Sequence, residues 1–245
     1  MLKTLLIAFA IISYSANANI AQKLVDKSHD ARGGAEAIKS IKNWDIKGVS
    51  VNVMQNSSDN FELKFQDNSF YAKQAVNGSD NLFVYNGKEG WYLAPMMQVN
   101  ELSPLPAEMV EQVRASFENQ ILNSLKGLLI DSKEKGLEYG FLGKEDLDGE
   151  KVSKISVKNP KEPDTEGTSI ACYISTKDNF VKKFSITSAQ GSFDYIFKEY
   201  TKFGNFTFPK LIEIAMNSNV VAKIQINELN VAPKFDATTF AKPKM

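Results

Sequence analysis

The chain has 245 residues, 43% hydrophobic and 24% charged, with 29 basic side chains against 29 acidic ones. This composition excludes a disordered polypeptide, and the balanced charge gives no electrostatic drive toward nucleic acid or anionic lipid. One cysteine, Cys172, excludes an intrachain disulfide, and one histidine, His29, leaves a histidine-based metal site short of ligands.

The N-terminus reads as an export signal. Lys3 is a short positive start, Leu5 to Tyr14 is a nearly unbroken apolar run, and Ala16-Asn17-Ala18 supplies the small-x-small pattern of a cleavage site. The run is about half the roughly 20 residues needed to span a bilayer. Residues 1–18 are therefore expected to be a signal peptide, and 19–245 a single soluble domain in the periplasm. Loss of Lys3 leaves 28 basic residues against 29 acidic.

Helical spacing predicts a first helix over Ile20 to Ala31, its apolar stripe made of Ile20, Leu24, Ser28 and Ala31, flanked by Ala21 and Val25. Gly33-Gly34 stops it, and a short piece over Ala35 to Ile41 follows. Period-two runs then predict strands over Trp44–Gln55, Asn60–Gln66, Ser69–Val76, Asn81–Tyr85 and Gly90–Ala94. A helix over Pro106 to Leu125 carries Val110, Val113, Phe117, Ile121 and Leu125 on one face. Strands resume at Leu137–Gly143, Lys151–Lys158, Thr168–Ser175, Phe180–Thr187, Ser192–Tyr200, Thr207–Asn217 and Val220–Leu229. Turn residues, among them Asn77-Gly78, Asn86-Gly87 and Asp148-Gly149, leave hairpin-sized gaps, so the sheet of about eleven or twelve strands is antiparallel. Lys158–Gly167, with Pro160 and Pro163, reads as a long hairpin loop.

The strands alternate aromatic side chains on one face: Phe61 and Phe65 about Leu63, Tyr139 and Phe141 beside Leu137, and Phe193, Tyr195 and Phe197. A sheet this long curls, and its concave face then needs a cover, which the amphipathic helices supply. Two arrangements fit: a closed dry core, or a lid over a cavity. In the cavity arrangement Phe61, Phe65, Phe193, Tyr195 and Phe197 line the concave side, Trp91, Met96 and Met97 stand near its rim, and Val113, Phe117 and Ile121 face it from the lid helix.

Catalytic chemistry finds little support. His29 lies beside Asp30 and reads as a solvated surface residue. Cys172, in the strand-like Ile170–Ile174, reads as a buried, inert thiol. Asp146-Leu147-Asp148-Gly149 starts like a calcium loop, yet position 157 is Val157 where the loop needs glutamate, so a hairpin turn is the better reading. There is no GxSxG, P-loop or GxGxxG. No enzyme activity, metal or cofactor is expected.

Ala31-Arg32-Gly33-Gly34-Ala35-Glu36-Ala37-Ile38-Lys39-Ser40-Ile41-Lys42, Tyr85-Asn86-Gly87-Lys88-Glu89-Gly90-Trp91-Tyr92 with Pro95, and Leu142 to Lys151 are similar in order and spacing to segments of LolA-like outer-membrane lipoprotein-sorting proteins. Phe206-Thr207-Phe208-Pro209 and Asn230 to Pro243 are similar to the end of that family. The resemblance covers essentially the whole mature chain. It implies a β-rich α+β fold, an incomplete, half-open antiparallel β-barrel of about eleven strands with helices covering the concave face. It implies a non-catalytic monomer that binds lipoprotein acyl chains or another lipid, with an inner-membrane transporter and an outer-membrane acceptor as partners. A lipid-sensing module like that of RseB is the alternative, and an envelope hydrolase a weaker one. The family's carriers latch their lid with an arginine on an early strand. Here neither Arg32 nor Arg114 lies on a predicted strand, and Lys64 is the nearest early-strand cation.

Overall fold

The computed structural model describes residues 2–76, 78–117, 136–158, 167–236 and 238–244, with the side chains of 2–16, 39 and 117 outside the description. The helices are α1 (Leu2–Ala31), α2 (Ala35–Lys39) and α3 (Ala107–Phe117), with a 3₁₀ turn at Pro95–Met97. The strands are β1 (Trp44–Asn52), β2 (Ser57–Gln66), β3 (Ser69–Val76), β4 (Ser79–Tyr85), β5 (Gly90–Ala94), β6 (Val99–Pro104), β7 (Glu138–Leu147), β8 (Glu150–Lys158), β9 (Ser169–Ser175), β10 (Val181–Ser188), β11 (Gly191–Phe203), β12 (Phe206–Met216) and β13 (Asn219–Asn230).

All thirteen belong to one antiparallel sheet in the order β6-β5-β4-β3-β2-β1-β13-β12-β11-β10-β9-β8-β7. β6 and β7 are its two edges, so the barrel is open. The expected fold class holds, with thirteen strands in place of about eleven. The strand that sequence reading omits is β6. Asn100, Glu101 and Pro104 hide its pattern, and an edge strand tolerates them because one side of its backbone pairs with nothing.

Side chains alternate across the sheet, and the paired register tells which share a face. On the inner face, Trp44 pairs with Phe65 and Phe65 with Phe70, and Ile46 pairs with Leu63 and Leu63 with Ala72. Across the sheet, Ile155 pairs with Cys172, Cys172 with Phe184, Phe184 with Tyr195, and Phe197 with Ile212. Trp44 and Phe208, two strands apart, bring their rings to 5.9 Å, so the inner face is concave there. Gly48 allows the closest approach in this layer. A Cβ there would run into the Gln225 carbonyl oxygen and lie 2.5 Å from the Phe61 ring, so only glycine lets Phe61 lie flat across β1.

The helices pack on the inner face and join its core through Ala21, Val25, Ile38 and Val110. α1 lies beside β7. Its buried stripe is Ala21, Val25, Ser28, His29 and Arg32, one residue off the predicted one, and Ile20 is 43% exposed. The small Ala21 and Ser28 let this face approach the sheet closely, where Ile20 does not fit. His29 is consequently 5% exposed, which corrects its reading as a solvated residue. Cys172 is buried, and burial pushes its thiol up to about 12. Among the described residues no helix is long and apolar enough to cross a membrane.

Candidate functional site

Because every strand neighbours the next antiparallel to it, alternate connections fall at the same end of the sheet. One end carries the β2–β3, β4–β5, β7–β8, β9–β10 and β11–β12 turns. This end is shut. The β11–β12 turn receives the C-terminus of α1, with the Thr207 N–H donating to the Arg32 carbonyl at 3.1 Å. α3 starts beside the β4–β5 turn, where the Leu105 N–H donates to the Gly90 carbonyl at 2.8 Å. It reaches the β2–β3 turn, where the Arg114 guanidinium donates to the Asp67 carbonyl at 3.3 Å and to Asn68 Oδ1 at 3.4 Å. Met109, Val110 and Val113 seal the inner face from above.

The other end carries the β1–β2, β3–β4, β5–β6, β10–β11 and β12–β13 turns, and there the inner face opens. Along β12 exposure rises from 0% at Phe208 and Ile212, through half-buried Ile214, to 51% at Met216. Along β11 Phe197 is buried, while Tyr195 and Phe193 are half-buried. β13 repeats the gradient from buried Ile226 and Ile224 to half-buried Ala222, β10 from Phe184 to Ile186, and β9 from Ile174 and Cys172 to Ile170. Across β9 to β12 the inner face is thus an apolar trough, floored at one end and half-exposed at the other, and Ser50, Asp59, Gln74 and Asn81 border it on β1 to β4.

The floor contains a cation. Arg32 is 3% exposed, with its guanidinium 5.4 Å from the Phe208 ring centroid. Burial lowers its affinity for its proton, against the opposing influence of Tyr200 and Cys172. The Tyr200 hydroxyl donates to the Val181 carbonyl at 2.7 Å, and its ring stacks on Phe180 at 4.3 Å. Burial raises the Tyr200 phenol as well. Among the described residues no group of histidine, cysteine and carboxylate side chains is placed to hold a metal ion.

No family model matches the chain, and a search of curated proteins returns no match. Solved structures do match. A domain from Vibrio parahaemolyticus named for outer membrane lipoprotein sorting is 11% identical, with a TM-score of 0.53 over 92% of this chain and 98% of its own. A LolA superfamily protein from Nitrosomonas europaea is 11% identical, with a TM-score of 0.51 over 91% of this chain and 97% of its own. The chain has the LolA-like fold. A DUF1329 family protein from Desulfovibrio piger is similar as well, at 12% identity and a TM-score of 0.54, covering 90% of this chain and 97% of that one.

Set in the LolA-like fold, the sequence-predicted site residues fall into three groups. Phe61, Phe65, Phe193, Tyr195 and Phe197 all lie on the inner face, the first two and Phe197 buried and the others toward the open end. Val113 packs against the core from α3. Met96 and Met97 stand at the open end in the 3₁₀ turn, 57% and 55% exposed. Trp91 is a correction. It pairs with Val84, whereas the inner-face neighbours Phe83 and Tyr92 pair with each other, so Trp91 points outward and Tyr92 takes its place. It lines a separate cleft of about 540 Å³ outside the shut end, with Pro104, Leu105 and Val110. The side chain of Phe117, and Ile121 and Leu125 altogether, lie outside the described residues.

Lys64, the nearest early-strand cation, faces away from the inner side. It pairs with Asp45 and Tyr71 on the outer face, bonds Glu62 at 2.7 Å and lies 5.0 Å from the centroid of the Tyr71 ring. It cannot latch a cover on the inner face, because strand alternation turns it away. The buried cation at the junction of helix and sheet is Arg32, which sequence reading placed only in the Gly-Gly motif. Its signal was present: Ala21, Val25, Ser28 and Arg32 recur at steps of three and four.

Proposed function

We propose that this protein is a periplasmic carrier that holds a lipoprotein acyl chain or another single-chain lipid in the trough and passes it toward the outer membrane. The observation that carries this reading is the gradient of the inner face along β9 to β12, an apolar line floored by Arg32, Phe208 and α3 and half-exposed at the opposite end, while Ser50, Asp59, Gln74 and Asn81 make the face polar toward the β1–β4 tips. A dry core has no reason to leave Phe193, Tyr195, Ile186 and Ile214 half-exposed along one continuous path. Neighbours with the same fold include one named for outer membrane lipoprotein sorting, which supports the reading. Each methylene transferred from water contributes about 0.8 kcal/mol, so ten contribute about 8 kcal/mol before the cost of ordering the chain.

Phe61, Phe65, Phe193, Tyr195 and Phe197 line the trough, with Val113 above it and Met96 and Met97 at its mouth. The role is non-catalytic, and the protein acts as a monomer between an inner-membrane donor and an outer-membrane acceptor. Lys3, the Leu5–Tyr14 run and Ala16-Asn17-Ala18 act as the leader, and the mature chain starts at Asn19.

Native mass spectrometry of the exported protein tests the reading. It should show a mass beginning at Asn19 and a bound lipid that dissociates on activation. A lipid-free protein that takes up no fatty acid or lysolipid would overturn the carrier reading, and a mass beginning at Met1 would overturn the leader.

A further inference from the structure

The two ends of the sheet differ in charge. In a chain where 24% of residues are charged, none occurs in 52–58, 74–79, 92–100, 184–193 or 214–222. These segments are five of the six connections at the open end, the sixth being the one between β8 and β9. The shut end has Asp67, Lys88 and Glu89, Asp148 and Glu150, Lys177 and Asp178, and Lys202 in or beside its turns. The large exposed apolar side chains follow the same division. Met54 at 80% and Val53 at 41% stand on the β1–β2 tip, Met96 and Met97 on the β5–β6 tip, and Met216 on the β12–β13 tip.

The polar groups of these tips are largely spent within the turns. Asn52 Oδ1 accepts from the Gln55 N–H at 3.1 Å, and the Asn52 amide donates to Gln55 Oε1 at 3.2 Å. The Val53 N–H donates to the Val221 carbonyl at 3.0 Å, and the Gln98 N–H to the Pro95 carbonyl at 2.9 Å. Asn217 holds Ser192 in both directions at 2.9 Å, through its Oδ1 and its own N–H. Satisfying these groups internally removes much of the cost of taking a tip out of water. The methionines are left pointing outward, flexible and apolar.

We propose that the open end docks on a lipid bilayer, its methionine-bearing tips resting in the interfacial layer of uncharged lipid. The arrangement selects this occupant. The apolar groups sit on separate tips strung along the sheet edge from β5 to β12, at about 4.8 Å per strand. A row of separate points suits a flat, fluid surface that moulds to each of them. The absence of charge of either sign on these five tips matches a neutral interface, into which a carboxylate or ammonium enters at a penalty. The inner face also leads to this rim: Ile212, Ile214 and Met216 form one line along β12, and Phe197, Tyr195 and Phe193 another along β11. A chain leaving the bilayer there enters the trough without crossing water. The connection 159–166, outside the described residues, carries Lys161, Glu162, Asp164 and Glu166 in sequence, so the docking rim is the β1–β6 and β10–β13 side of this end.

The inference rests on the carrier reading for its purpose but not for its measurement. Flotation of the mature protein with phosphatidylcholine–phosphatidylethanolamine vesicles should show binding that salt does not weaken. Replacing Met54, Met96, Met97 and Met216 together by serine should lower it about tenfold or more, with the melting temperature unchanged. The milder pair Met96→Ser and Met97→Ser should give an intermediate loss and serves if the fourfold variant is unstable. Leu142→Ser removes a side chain 58% exposed on β7 and should change nothing. No binding by wild type, equal binding by the serine variants, or binding only to anionic vesicles at low salt would overturn the proposal. So would self-association abolished by the same substitutions without vesicle binding. Bound lipid in the same samples, read by mass spectrometry, reports separately on the carrier reading.

Discussion

Truncating one phenylalanine at each end of the trough separates a floored cavity from a uniform core. Phe208 is 0% exposed, 5.9 Å from Trp44 and 6.0 Å from Phe206 between ring centroids, with Arg32 at 5.4 Å. Phe208→Ala removes a fully buried ring and leaves a hole that Trp44 and the helix terminus cannot fill, at about 3–5 kcal/mol. Loss of the desolvated cation–π contact adds about 1 kcal/mol. Phe193 is half-buried on the same face, touching Tyr195 at 5.2 Å. Phe193→Ala forfeits only part of a ring's transfer energy, about 1 kcal/mol. Guanidinium unfolding, followed by the fluorescence of Trp44 and Trp91, measures both. Lipid retention by native mass spectrometry should move the other way, falling sharply in Phe193→Ala. If Phe193→Ala costs as much stability as Phe208→Ala and retains its lipid, the open end is packed core and the trough does not exist.

Three further outcomes follow from the same contacts. Gly48→Ala drives a methyl into the Gln225 carbonyl and the Phe61 ring; it should cost roughly 2 kcal/mol or more by strand separation or ring displacement, measured by the unfolding midpoint. Cys172 should resist a thiol reagent at pH 8 in the native protein and react at once in denaturant, because burial raises its thiol to about 12; rapid native labelling would show that the core opens. Glu213 should make stability depend on acid. Its partial burial disfavours the carboxylate, but Lys198 at 2.7 Å and Lys223 at 3.0 Å outweigh that and hold its carboxyl below the usual 4.5. A lowered native value means that the stabilisation is full above the unfolded value and disappears as pH falls through the native one. Glu213→Gln should therefore be less stable than wild type at pH 7 and equal to it in strong acid, by parallel denaturant titrations.

Local chemistry made the elements legible. Alternation in Phe61-Glu62-Leu63-Lys64-Phe65 is a two-residue period that only a strand satisfies, and Asn86-Gly87 or Asp148-Gly149 permits the turns between strands. Twelve of the strands, the antiparallel order and the aromatic inner face follow from such signals. Which of two adjacent aromatics faces inward is a matter of register, set by hydrogen bonding to a neighbouring strand. Trp91 and Tyr92 could not be told apart until Val84 and Phe83 were known as their partners. Lys64 is outside for the same reason. His29 and Arg32 are polar in sequence and buried in the fold, because α1 lies against the sheet along its small residues. The charge-free rim illustrates the division most clearly. Each uncharged segment stands openly in the sequence, but only a sheet in which every strand reverses its neighbour gathers those five tips at one end, opposite the charged turns at β2–β3, β4–β5, β7–β8, β9–β10 and β11–β12.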